Sequence, residues 1–460
     1  MKSHKGSLGV LTTLFFMWGF MTVLNDLLIP QWKAEFNLNY MQALLVQFAF
    51  FGAYFVGSII YFAISSSSGD PIGKIGYKNG LILGLLVAAA GSFLFYPAAM
   101  AGEYYLYLLA LFVVGLGFTL LQIAANPYVA VLGSPESASS RLNLTQGFNS
   151  LGTTLGPLLG AWLIFEIFGG KGSVKMPYVI FGSILTFLAV VIFLVPLPKI
   201  INKEKIKKGF GALQFPNLSY GMLAIFFYVG GEVAIGSLLV SYIGLPEIAG
   251  VLKEDSDTFL SFYWGGLMIG RFAGAVYLSD IEGQSKKLLM MVGLALAAFG
   301  VIYFANWTKT GIDLMTALPL LFFVALAMGL FVLGRSLAHR TLALFSMLVI
   351  ALLLVVIFGS GSIAFWAIIG IGIFNSIMWS NIFTLAIDGL EEFTSQGSSL
   401  LVMMIVGGAL VPLAQGKLAD ILATNANPDA GLQMSFFVPL LCYLYLVFYG
   451  LKGYQKKVVS

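Results

Sequence analysis

The chain has 460 residues, 59% of them hydrophobic and only 10% charged, with a net charge of +4 and a mean hydropathy of +0.95. An ordinary soluble domain carries about 25% charged residues, so the composition excludes a soluble globular protein and indicates an integral membrane protein. The small positive charge requires no nucleic-acid partner, because basic residues beside an anionic leaflet serve as topology signals; the single cysteine, Cys442, excludes disulfides and thiolate metal clusters.

Fourteen apolar stretches recur along the chain, each long enough to cross a hydrocarbon core of ~30 Å as a helix. The first, 8 to 30, contains FFMWGFMTVLNDLLIP and places a carboxylate, Asp26, near its C-terminal end. It lacks a small-residue cleavage site and precedes many similar runs, so it reads as a retained helix rather than a signal peptide. The others are predicted at 42–65, 80–100, 104–131, 143–168, 177–196, 217–243, 258–279, 287–305, 315–333, 341–358, 362–388, 396–420 and 434–452. Most of the 24 Lys and Arg fall at the termini or in loops after even-numbered spans, whereas Lys33, Lys171, Lys175, Lys253 and Lys309 fall on the other side. Basic residues are retained in the cytoplasm, which predicts that both termini are cytoplasmic.

After the sixth span comes the long polar link PLPKIINKEKIKKGFGALQFPN. It divides the chain into a six-helix bundle at 1–196, a linker at 197–216 and a second bundle at 217–460. An internal repeat supports the division. GLG at Gly115 to Gly117 precedes Asn126 as GIG at Gly370 to Gly372 precedes Asn381, TQG at Thr145 is matched by SQG at Ser395, and Phe15, Phe16 and Gly19 are matched by Phe226, Phe227 and Gly230. Parallel repeats are the arrangement of a rocking carrier. Phe15 to Gly115 spans 100 residues but Phe226 to Gly370 spans 144, a surplus of about two membrane helices. A two-helix insertion is therefore predicted within 281–338, added to a twelve-helix core.

The stretches LNDLLIP, QALLVQFAFFGAYF, LQIAANPYVAVLG, LNLTQGFNSLG, FFYVGGEVAIGSLLVSY, YWGGLMIGRF, FNSIMWSNIFTLAI and TSQGSSLLVMMIVGGALVPLAQG resemble the fucose/galactose/glucose proton symporter family of the major facilitator superfamily. The resemblance covers nearly the whole chain outside the expected insertion. It implies an all-α polytopic fold, the bacterial inner membrane, and uptake of a monosaccharide coupled to an ion. The superfamily's loop signature survives only in degraded form as GDPIGKIGYK, with Gly73 where the signature has an acid.

Ionisable residues deep in predicted spans are few: Asp26, Glu232 and Arg271. A charge in hydrocarbon costs at least ~2.5 kcal/mol on insertion scales, so a retained one faces a cavity or a partner. Asp26 suits a carboxylate that loads a proton, and the resemblance implies that role at its position. Glu232 is a second coupling candidate, although Glu232 and Arg271, on helices seven and eight, can also neutralise each other. Sugar hydroxyls need partners that both donate and accept, as amides do without full charge. The candidates are Gln47, Gln122, Asn126, Gln146, Asn149, Asn375, Asn381 and Gln396; the resemblance implies sugar contacts at Gln122 and Asn149. In some members the residue at the position of Gln122 is a glutamate, and the amide here cannot take up a proton. Trp18 and Trp264 can offer aromatic faces to the apolar side of a pyranose.

A proton-coupled carrier of glucose or galactose, with fucose next, is the expectation; a sodium-coupled carrier and a non-transporting sugar sensor are the alternatives. No enzyme is expected, because neither His4 nor His339 lies at a span centre. A monomer in the lipid bilayer, without cofactor or bound metal, completes the expectation.

Overall fold

The computed structural model describes residues 5–37, 45–168, 174–198, 209–251, 256–422 and 428–455. Every regular element among the described residues is helical, as follows in a bilayer, where backbone N–H and C=O groups find partners only within their own segment or in a closed barrel. The principal helices are α1 Lys5–Glu35, α2 Leu45–Ser68, α3 Tyr77–Phe93, α4 Tyr104–Val131, α5 Ala138–Ala161, α6 Lys175–Leu194, α7 Pro216–Ile243, α8 Ser256–Tyr277, α9 Gln284–Thr310, α10 Pro319–Gly334, α11 Ala338–Phe358, α12 Gly361–Asn375, α13 Met378–Ile387, α14 Thr394–Met403, α15 Gly407–Leu422 and α16 Phe437–Phe448. All fourteen predicted spans lie on helices. Among the described residues, twelve helical stretches are long and apolar enough to cross a membrane. The remaining two predicted spans correspond to α5 and α8, which are long enough at 1.5 Å per residue but richer in polar side chains.

The chain divides into two compact units. One comprises Met1–Ser134, Leu151–Phe215 and Ile387–Val406; the other comprises Pro135–Ser150, Pro216–Ala386 and Gly407–Ser460. The edges thus differ from the predicted division at the linker, because 135–150 and 387–406 each pack with the other half of the chain. Hydrogen bonds account for both exchanges. In the first unit the Gln396 amide donates to Gly209 O at 3.1 Å and accepts from Ala212 N at 3.0 Å; in the second, Asn143 Nδ2 donates to Asn381 Oδ1 at 3.4 Å.

Within the first unit, α3 packs on α4 and α6, and α2 packs on α4. Within the second, α11 packs on α12 and α16, as α3 does on α4 and α6. That correspondence leaves α9, which lies on α8, and α10, which lies on α11 and α12, without counterparts in the first half.

Close helix approach explains the repeated Gly-x-Gly pairs, since small residues at a crossing let membrane helices pack backbone to backbone. A Cβ on Gly115 would stand 2.7 Å from Ala53 Cβ and 2.8 Å from Phe50 O of α2, and one on Gly117 would overlap the Ala88 backbone of α3. A Cβ on Gly372 would likewise overlap the Tyr263 backbone of α8. Backbone cannot rotate away as a side chain can. Gly117→Ala should therefore destabilise the first unit by about 1–3 kcal/mol, read as a lower unfolding temperature in detergent. Gly293→Ala on α9, where nothing lies within 4 Å, should be neutral or stabilising by up to about 1 kcal/mol. Equal effects of the two would contradict the close approach of α3 and α4.

Candidate functional site

In the first unit, α1, α2 and α4 bring together Trp18, Tyr54 and Gln122. Trp18 Nε1 donates to the Tyr54 hydroxyl at 3.1 Å, and the Gln122 side chain also hydrogen-bonds Tyr54. Gln122 is 3% exposed, and its Oε1 has no partner among the described residues, so its amide nitrogen is the group that meets Tyr54. The Tyr54 oxygen thus accepts twice. One turn further along α4, Asn126 is fully buried with neither amide atom partnered among the described residues, and the same holds for Asn25 on α1. An unpaired buried polar group costs about 1–3 kcal/mol, and native structures retain few of them. Several on neighbouring helices form a candidate surface for hydrogen-bonding a ligand or water. Pro127, inside α4 directly after Asn126, removes a backbone donor and loosens the helix at the same place.

Asp26 follows Asn25 on α1, but its side chain, like that of Gln47 on α2, lies outside the described residues.

In the second unit the predicted span 362–388 is interrupted. α12 ends at Asn375 and α13 begins at Met378, so carbonyls near the break lose helical partners and need others inside the membrane. The Tyr228 hydroxyl lies 3.2 Å from Asn375 O, a longer branch of the single O–H it directs to Glu232 at 2.8 Å, and Arg271 Nε donates to Ser376 O at 3.2 Å. Arg271 Nη1 also donates to Gln146 O at 3.4 Å and to Ser150 Oγ. The guanidinium therefore caps a broken helix and ties it to α5. It makes no direct ion pair with Glu232 among the described residues, contrary to the neutralising contact that the sequence suggested.

Glu232 has a different set of partners. Tyr228, one turn earlier on α7, donates to its Oε1 at 2.8 Å, and the Tyr263 hydroxyl donates to its backbone carbonyl at 2.9 Å. Asn375 Nδ2 donates to the Tyr263 hydroxyl at 3.0 Å, and Asn375 Oδ1 accepts from Tyr443 at 2.6 Å. Asn375, a predicted sugar contact, thus has both amide ends engaged by protein.

The other predicted residues are placed as follows. Asn381 is fully buried, bonding Ala338 O at 3.1 Å and Asn143. Gln146 is buried on α5 and Asn149 is half-buried three residues later. Gln122 belongs to the first unit, Gln146 and Asn149 to the second. Trp264 is 39% exposed and packs edge-on against Tyr263. Gln396 lies far along the chain from the amides of α4, and its side chain joins α14 to Ser65, Ser66, Gly209 and Ala212. Beside it, Asp70 caps the short helix Pro71–Ile75 through Gly73 N at 3.0 Å and bonds Tyr61 and Ser395. Burial pushes the Asp70 carboxyl above the usual carboxylate range, opposed by those hydrogen bonds.

Sequence reasoning missed Tyr54, Tyr228, Tyr263 and Tyr443. Only Tyr228 carried a signal, its i, i+4 spacing to Glu232; the others meet partners from separate helices.

The model of the Major Facilitator Superfamily matches residues 7–337. Over 98% of this chain and 95% of the relative, the sequence is 40% identical to a Brucella abortus protein named glucose/galactose transporter. It is 38% identical to a Helicobacter pylori protein named putative glucose/galactose transporter, over 99% and 98% of the two chains. The Escherichia coli L-fucose-proton symporter is 29% identical over 96% and 92%. The crystal structure of the Escherichia coli fucose:proton symporter superposes with a TM-score of 0.74 at 27% identity, covering 98% of each chain. The many apolar spans, the matching fold and full-length relatives identify a multi-pass membrane protein that belongs to the major facilitator superfamily, in its fucose/galactose/glucose proton symporter family.

Proposed function

We propose that this protein imports a monosaccharide, glucose or galactose ahead of fucose, across the bacterial inner membrane by proton symport, with both termini in the cytoplasm. The observation that carries the reading is the set of buried amide groups on α4 without partners among the described residues, Gln122 Oε1 and both ends of Asn126, beside the Trp18–Tyr54 pair. Such a surface offers neutral donors and acceptors together, which is what a sugar hydroxyl requires. The names of the relatives at 38–40% identity support the hexose, and the name of the more distant symporter supports the proton.

The residues have separable roles. Within the first unit, Gln122 and Asn126 bind hydroxyls, and Trp18 supports Tyr54 and offers an aromatic face; Asn149 is a separate candidate amide of the second unit. Asp26 is the acid that loads a proton from the outside and releases it to the cytoplasm. Gln122 cannot perform that step, because an amide does not titrate.

Adding D-glucose or D-galactose to energy-depleted right-side-out vesicles should make the medium alkaline in sodium-free buffer, as protons follow the sugar inward. Uptake that requires sodium and causes no alkalinisation would replace the proton with a sodium ion; absence of any sugar uptake would remove the carrier reading. Gln122→Ala should weaken sugar binding by about 1–3 kcal/mol, which is roughly five- to over a hundredfold in Kd. Isothermal titration in detergent measures this, and an unchanged Kd would place Gln122 outside the site.

A further inference from the structure

We propose that Glu232 is the anionic acceptor for sugar hydroxyls in the second unit, with Tyr228, Tyr263, Asn375 and Tyr443 as the residues that position it. The proposal rests on the sugar-carrier reading above and concerns α7 and its neighbours within the second unit alone.

The geometry holds Glu232 at two points, one on its side chain and one on its backbone. Tyr228 binds Oε1 at 2.8 Å, and Tyr263 binds the backbone carbonyl of the same residue at 2.9 Å. Tyr263 is itself fixed by Asn375, whose other amide end is fixed by Tyr443. The three tyrosines and Asn375 are almost completely buried, so each hydroxyl and amide in the relay is committed to protein. Glu232 is 8% exposed, and among the described residues its Oε2 carries no hydrogen bond. One carboxylate oxygen, Oε2, remains an available acceptor on a residue fixed through its side chain and its backbone.

Charge balance is also in place. Arg271 acts on Glu232 electrostatically without touching it, because its Nε and Nη1 are directed to Ser376, Gln146 and Ser150. A neutral polyol can therefore bond the carboxylate without breaking an ion pair. Hydrogen bonds to an ionised acceptor are roughly twice as strong as neutral ones, and the described groups of the first-unit cluster are all neutral. A hydroxyl donor is the ligand chemistry that gains most at Oε2.

The test is sugar exchange and pH-driven accumulation in proteoliposomes, using D-glucose, D-galactose and their single-deoxy analogues. Glu232→Gln should raise the exchange KM about tenfold or more, the loss of one charge-assisted bond, while the exchange rate at saturating sugar and the accumulation ratio persist. One deoxy position should lose affinity in the wild type but not in Glu232→Gln. Tyr443→Phe should raise KM less than Glu232→Gln, with the maximal rate unchanged. Should Glu232→Gln fail to fold, Tyr443→Phe and the deoxy series on the wild type carry the test. An unchanged KM in both variants overturns the proposal, as does an accumulation ratio abolished with KM unaltered, which would make Glu232 a proton carrier. A wild type that exchanges none of these sugars would overturn the carrier reading itself.

Discussion

Inside a bilayer no water completes an unfinished hydrogen bond, and the arrangement of this protein follows from that constraint. Helices satisfy their own backbones, so most of the chain needs only apolar side chains and glycine at close crossings. Where a helix is broken, at Ser376 and Ile377, the released carbonyls must be met from outside, and Tyr228 and Arg271 meet them. A buried arginine that looks like half of an ion pair is thereby explained as a cap. Its positive charge then remains available to balance Glu232 across a gap rather than through contact.

The two clusters of candidate residues use their polar groups differently. In the second, Tyr228, Tyr263, Asn375 and Tyr443 bond one another and the Oε1 and backbone carbonyl of Glu232, although Ser376 Oγ, Trp379 Nε1 and Ser380 Oγ at the helix break have no partner among the described residues. In the first, Gln122, Asn126 and Asn25 keep amide atoms without partners among the described residues. The repeat sharpens the contrast. Asn126 and Asn381 occupy equivalent positions nine residues after their glycine pairs, yet Asn381 is tied to Asn143 and Ala338 while Asn126 is not. Among the described residues, identical residues at equivalent positions are hydrogen-bonded in one half and without a partner in the other.

Much of this was legible in the chain. Apolar length located every span to within a few residues, because hydrocarbon thickness sets a fixed requirement. The glycine pairs were visible as repeats, and their packing reason became visible only with Ala88 and Tyr263 opposite them. The break after Asn375 was not legible, since FNSIMWSN contains no proline or glycine; tertiary partners make it tolerable. Nor could spacing show that Gln396 bonds the linker end, or that Asp70 bonds Ser395. Those contacts join residues more than a hundred positions apart. Amide side chains announce hydrogen bonding, but sequence does not tell whether the partner is protein or ligand.

The central claim, that sugar movement is coupled to a proton through α1 while sugar recognition uses neighbouring amides, separates cleanly at Asp26. The most direct measurement compares labelled-glucose counterflow with pH-gradient-driven accumulation in proteoliposomes containing Asp26→Asn, a permanently neutral side chain of the same shape. The account predicts that counterflow persists while accumulation against a gradient is lost. An Asp26→Asn protein that still concentrates sugar under an imposed pH gradient would contradict it.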